Sequence, residues 1–199
     1  MARIPADERR QGFIEAAVRI IAAHGMRGAT TRRIAEEAGS PLATLHYCFH
    51  TKEQLFFAVF QYLAEETSDE GEDEAAPAGL GKAARTWLTR TANWTTAHDD
   101  YARAQYDLYF WAIRQDGGDS PLAAEVYELF FSRIEKQLRA ALLPQDDATL
   151  VTPLARLLIG LHDGLVMQWN GAHDRERFDL DFQLAGDMLE TFIASRSKS

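Results

Sequence analysis

The sequence predicts an all-α chain, and three observations carry that prediction. Apolar residues recur at three- and four-residue spacings through most of the chain, and no period-two alternation is long enough for a strand. The 13 Gly and 6 Pro among 199 residues are too few for a turn-rich β architecture. With 46% hydrophobic residues the chain can fill a core unaided. The one cysteine, Cys48, excludes an intrachain disulfide and a multi-cysteine metal or iron-sulfur site, which points to a reducing, cytoplasmic location. The N-terminus MARIPADERRQGF has no apolar run of signal-peptide length, and the most hydrophobic region, Leu154 to Trp169, is broken by Arg156, His162 and Asp163. No membrane contact is expected.

Each element has its own local reason. From Glu8 to His24, Phe13, Ala16, Ala17, Ile20, Ile21 and His24 mark one face of an amphipathic helix that Gly25 stops. Thr30 is an N-cap for a short helix, Thr31 to Ala38, with Ile34, Ala35 and Ala38 inward and Gly39 at its end. Ser40-Pro41 opens a third, Leu42 to Phe49, in which Leu45 and Phe49 share a face. Thr51 caps a fourth, Lys52 to Thr67, with Glu53 near its positive end. The stretch SDEGEDEAAPAGLG, Ser68 to Gly81, has almost nothing to bury and reads as a linker. Further helical blocks follow over Lys82 to Ala97, Asp99 to Gln115, Pro121 to Leu143, Ala148 to Asn170 and Leu180 to Ser195, separated by DGGDSP, PQDD and GAHDRERFD.

The charge is uneven. Residues 1–60 hold 8 Lys/Arg against 6 Asp/Glu, whereas the whole chain carries a net charge of −9. An acidic protein is a poor general polyanion binder, so any nucleic-acid contact has to come from a local surface in the first sixty residues. There, TTRRIAEEAG and LATLHYCF have the dimensions of a helix-turn-helix whose second helix enters the major groove. The run GMRGATTRRIAEEAGSPLATLHYCFHTKEQL resembles the N-terminal domain of the TetR family of transcriptional regulators, a likeness extending from about Asp7 to Thr67. It rests on Gly25, the Thr30-Thr31-Arg32 start, Ile34-Ala35, Ala38-Gly39, Thr44-Leu45, Phe49 and Lys52-Glu53-Gln54-Leu55. The resemblance implies a three-helix helix-turn-helix DNA-binding domain over 7–67 and a C-terminal helical bundle over 80–196 for effector binding and dimerisation.

The chemistry of the candidate DNA face can be argued beside the resemblance. Thr31, Arg32 and Arg33 lie at a helix N-terminus, where free N–H groups, a hydroxyl and guanidinium groups favour a phosphate or a guanine edge, and Lys52 offers the same at the next helix start. Once Leu45 and Phe49 turn inward, Leu42, Ala43, Thr44, His46 and Tyr47 are left to meet DNA. The chain departs from the family at Ser40-Pro41, Ala43, His46 and Cys48, and the last removes a phosphate donor. Leu42 suits a thymine methyl in place of a bidentate hydrogen bond.

Between residues 87 and 131 ten large aromatic residues crowd together. Some must be core, but rings this dense on short helices pack imperfectly and leave room for an apolar or aromatic effector. The candidate ligand residues are Trp87, Trp94, Arg103, Tyr106, Tyr109, Phe110, Tyr127, Phe131 and His162, with Asn93, Gln105 and Asp163 as further polar groups. Gly160 and Gly164 share a helix face open to close approach by another helix. The resemblance implies that the last two helices pair with their copies, and Asp163-Gly164-Leu165 is similar to the family's sequence there; Gly160, Gly164, Leu165 and Met188 are the candidate dimer contacts. Together these readings describe a homodimeric repressor released from a palindromic operator by a small molecule, with no catalytic residue, metal or cofactor. Two alternatives are a helical enzyme or small-molecule carrier with a vestigial helix-turn-helix, and a nucleoid-type DNA binder. No nucleophile elbow, HExxH or P-loop supports the first, and the acidic total disfavours the second.

Overall fold

The computed structural model describes residues 5–69, 78–115 and 121–196. Among them the chain is all α-helix apart from turns and short 3-10 segments: α1 (Ala6–Gly28), α2 (Thr31–Glu37), α3 (Leu42–Cys48), α4 (Lys52–Asp69), α5 (Leu80–Ala97), α6 (Asp99–Ile113), α7 (Pro121–Ala140), α8 (Val151–Ala172) and α9 (Arg175–Ala194). Ala148–Leu150 is the 3-10 turn that leads into α8. The chain divides into two compact units, one comprising Met1–Glu66 with His98–Tyr127, the other Thr67–Ala97 with Glu128–Ser199.

In the first unit Phe13, Ile20, Ile34, Leu45, Phe49, Phe56 and Phe60 are fully or nearly fully buried and bind α1 to α4 into one core. Gly25 interrupts α1 with φ 64° and ψ 176°, a backbone region essentially reserved for glycine, and one more helical turn follows it. The Thr30 hydroxyl caps α2 by accepting from Arg33 N at 3.2 Å. Gly39 at φ 61° ends that helix, with Ser40 N donating to Ala35 O at 3.0 Å in the six-to-one bond of a Schellman turn. Pro41 stands at the N-cap of α3 in extended conformation. At α4, Thr51 Oγ1 accepts from Gln54 N at 3.2 Å while Gln54 Oε1 accepts from His50 N at 3.0 Å, a reciprocal arrangement close to a capping box. Helix α6 joins this unit, burying Ala102, Ala104, Leu108 and Ala112.

In the second unit α5 lies against α9 at very short range. A Cβ on Gly81 would stand 3.3 Å from Glu190 Cγ, and one on Gly186 would stand 3.3 Å from Arg85 Cγ. Arg85 closes the contact by pairing with Asp187 and with Glu190, the latter at 2.5 Å. The start of α5 is clasped by the α7–α8 connection: Asp146 Oδ2 accepts from Leu80 N and from Leu143 N, each at 2.9 Å.

Several boundaries differ from the sequence expectation, α1 running past Gly25 to Gly28 and α8 starting at Val151 among them. Helix α9 begins at Arg175, not Leu180, because Asp174 caps it through Arg177 N at 3.1 Å and Arg175 pairs with Asp179 one turn on. Helix α7 ends at Ala140, short of Leu143, where the carboxylate of Asp146 takes over the backbone N–H. Helix α4 runs to Asp69, so the expected linker starts later; its central residues, like most of DGGDSP, lie outside the described residues.

Candidate nucleic-acid interface

The short helix α3 is held by its inward side chains and presents the others. Leu45 is 1% and Phe49 2% exposed, whereas Tyr47 is 80% and Leu42 38% exposed. Ala43 and His46 are exposed and Thr44 is half-buried. The helix is anchored from behind by the buried Leu45 and Phe49 side chains and offers water a hydroxyl-bearing ring, an imidazole and an aliphatic group. That set can hydrogen-bond base edges and touch a thymine methyl.

The cations around α3 fall into two kinds. Arg19 and Arg32 are held by carboxylates, Arg19 Nε on Glu37 at 2.8 Å and Arg32 Nε on Glu36 at 3.1 Å. Both members of the Arg32 pair are largely exposed, so solvent screens it and a phosphate can displace Glu36 at little cost. Arg33 is exposed and donates to Gly28 O at 3.4 Å, while Thr31 at the same helix start is half-buried.

Lys52 and Arg10 rest instead on aromatic faces. The Lys52 ammonium stands 5.1 Å from the Phe56 ring centroid and 5.4 Å from that of Trp111. Partial burial pushes its pKa below the ordinary lysine value, with Glu53 acting in the opposite direction. The Arg10 guanidinium stands 4.8 Å from the centroid of Phe49, the C-cap residue of α3. Arg10 is absent from the candidates read from the sequence, because its ring partner is distant in the chain.

The candidate effector residues divide between the two units. In the first, Tyr109 packs edge-on against Tyr127 at 4.9 Å and beside Phe110 at 6.2 Å, and Tyr106 is half-buried. Arg103 is exposed and engaged on its own helix by Asp99 and Asp100. In the second, Trp87 lies against His162 at 5.7 Å, His162 in turn against Phe182 at 6.1 Å, Trp94 is buried and Phe131 half-buried. Among the candidate dimer contacts, Gly160, Gly164 and Met188 are exposed and Leu165 half-buried. Among the described residues no three His, Cys, Asp or Glu side chains gather into a metal-holding group.

A short outward-facing helix seated on a buried apolar pair, preceded by a capped helix and flanked by cations, defines a DNA-binding protein of the helix-turn-helix class. Residues 13–59 match the family model "Bacterial regulatory proteins, tetR family". The chain is 32% identical over 177 residues to the HTH-type nicotine-responsive transcriptional repressor HdnoR of Paenarthrobacter nicotinovorans, covering 84% of this chain and 86% of that protein. Its fold is similar to that of a TetR-family member from Streptomyces coelicolor A3, at 25% identity and TM-score 0.68, covering 92% of this chain and 98% of the other. It is also similar to the multidrug binding protein EbrR in complex with ethidium, at 23% identity and TM-score 0.70, covering 94% and 99%. The chain belongs to the TetR family of bacterial transcriptional regulators.

Proposed function

We propose that the protein is a homodimeric repressor that binds a palindromic operator through α3 and leaves it when a small apolar or aromatic effector occupies the helices beyond α4. The observation that carries the DNA-binding part is the display of Leu42, Ala43, Thr44, His46 and Tyr47 around the buried Leu45 and Phe49. Thr31, Arg32, Arg33 and Lys52 supply phosphate contacts at the flanking helix starts. Likeness to a repressor along most of both chains supports the direction of control.

Dimerisation is supported by apolar surface that the single chain leaves in water. On α8, Leu157 and Met167 are exposed, and on α9 Leu180, Leu184, Met188 and Phe192. A Cβ on Gly160 or Gly164 would meet nothing within 4 Å, so a second copy can approach closely there. The segment Ala148–Ala172 is long and apolar enough to cross a bilayer by composition, with 33% of its most apolar stretch buried in the chain. A matching surface on a second copy accounts for such a helix in a DNA-reading protein, because two reading heads need a two-fold partner.

Ring density on α5, α6 and α7 supports an apolar or aromatic effector, and HdnoR's nicotine responsiveness makes nicotine a first compound to try. A duplex enriched from a random pool by the wild-type protein provides the probe. Sedimentation with that duplex should show two chains per DNA, and an effector should lower DNA affinity by the same factor as DNA lowers effector affinity. A single chain per specific duplex would refute the dimer, and full effector occupancy with unaltered DNA affinity would refute the switch.

A further inference from the structure

Lys52 is the only lysine or arginine of the first sixty residues that rests on two rings at once among the contacts the described residues make, and one of those rings is far from it in sequence. Trp111 lies on α6, its ring edge-on to Phe56 at 4.9 Å and 80°, so that Phe56 and Trp111 form a corner with the Lys52 ammonium over both. Phe56 is fully buried and Trp111 half-buried, which fixes the corner in the core of the first unit. One turn before Trp111, Asp107 accepts the Met26 N–H at 2.6 Å and so pins the same helix to the end of α1. The helix that carries the Trp111 ring therefore cannot move away from α1 without breaking that contact.

A lysine at a helix start normally carries its charge on a flexible stem and gives up rotamer freedom when it grips a phosphate. Ring faces attract the cation without neutralising it, because a quadrupole holds no net charge. We infer that Trp111 is a positioning residue for DNA binding: together with Phe56 it holds the Lys52 ammonium where it meets a backbone phosphate beside α3. The inference rests on the DNA-binding reading proposed above and assigns to α6 an indirect part in the phosphate contact, through Lys52.

The test is a double-mutant cycle on the intact chain, using a duplex enriched from a random pool by the wild-type protein. Lys52→Gln should lower the slope of log affinity against log salt by about 0.9 per half-site. Trp111→Met, which fills volume without a ring face, should weaken binding about five- to tenfold with Lys52 present and less than about twofold in the Lys52→Gln background. Trp111→Phe, which keeps a ring face, should stay within about twofold of wild type. Circular dichroism and thermal melting identify any variant that fails to fold; if Trp111→Met is one, Trp111→Leu, which also lacks a ring face, carries the cycle with Lys52→Gln with the same expected outcome. Equal losses in both Lys52 backgrounds, or Met and Phe variants that bind alike, would overturn the positioning role. An unchanged salt slope in Lys52→Gln would overturn the phosphate contact and this inference with it. Failure of wild type to enrich any sequence would instead remove the DNA-binding reading itself, a result distinct from the other two.

Discussion

Asp107 accepts a hydrogen bond from the backbone N–H of Met26 at 2.6 Å, with Gly25, at φ 64°, alongside. The bond occupies the break in α1, where the helical ladder is interrupted and a backbone donor would otherwise lack a partner. Asp107→Ala should therefore destabilise the first unit by about 1 to 3 kcal/mol, the cost of leaving a part-buried N–H unpaired, and Asp107→Asn, which keeps an acceptor oxygen, by less. Denaturant unfolding monitored by circular dichroism measures both; an Ala variant as stable as wild type would mean that water replaces the carboxylate freely.

Gly25 tests the same junction from its other side. Its backbone angles are open essentially to glycine alone, and a Cβ there would stand 3.0 Å from Asp107 Oδ2. Gly25→Ala is expected to cost about 1 to 3 kcal/mol from the backbone alone. Because Asp107→Ala removes the steric part, the double variant should be less destabilised than the sum of the singles. Strict additivity would place the whole cost in the backbone.

Gly186 and Gly160 should behave oppositely. Gly186→Leu forces apart α5 and α9, where Arg85 already stands 3.3 Å from the position of a Cβ, and should lower chain stability by about 1 to 3 kcal/mol. Gly160→Leu meets nothing within the chain, so its effect should appear in the monomer–dimer equilibrium. Sedimentation equilibrium beside thermal melting separates the two. A Gly160→Leu protein that dimerises like wild type would move the interface elsewhere.

The helix-turn-helix was legible because its determinants are local. Thr30, Gly39 and Thr51 act on backbone groups within a turn or so of themselves, and Leu45 with Phe49 declares the inward face of α3 by spacing alone. The start of α9 is hidden in the sequence because GAHDRERFD looks like a polar break. Its Asp174 cap and the Arg175–Asp179 and Arg177–Asp181 pairs instead build a solvated first turn. The association of α6 with the first unit was not legible, since the partners of Asp107 and Trp111 lie in α1 and α4 and nothing periodic links them. For the same reason the sequence showed Lys52 as a charge at a helix start and gave no sign of the rings beneath it.

Exposed contacts on α3 should affect function without affecting the fold. Tyr47 is 80% exposed, so Tyr47→Ala should leave stability within about 0.5 kcal/mol of wild type and yet cost about 1 to 3 kcal/mol of operator binding. Arg32→Ala gives up only a screened surface pair with Glu36 in the fold, and in the complex should lower the salt slope by about 0.9 per half-site. Fluorescence anisotropy across a salt series reports both, and two variants with wild-type affinity and slope would move the reading surface off α2 and α3.

The central claim is that a symmetric pair of α3 helices reads DNA, and sequencing the duplexes that the wild-type protein enriches from a random pool tests it most directly. The expected result is an inverted repeat whose half-sites are centred about 34 to 36 Å apart, or a multiple of that distance, with enrichment abolished by the combined Leu42→Ala and Tyr47→Ala substitutions. A motif without two-fold symmetry, or a pool unchanged from its starting composition, would contradict the account.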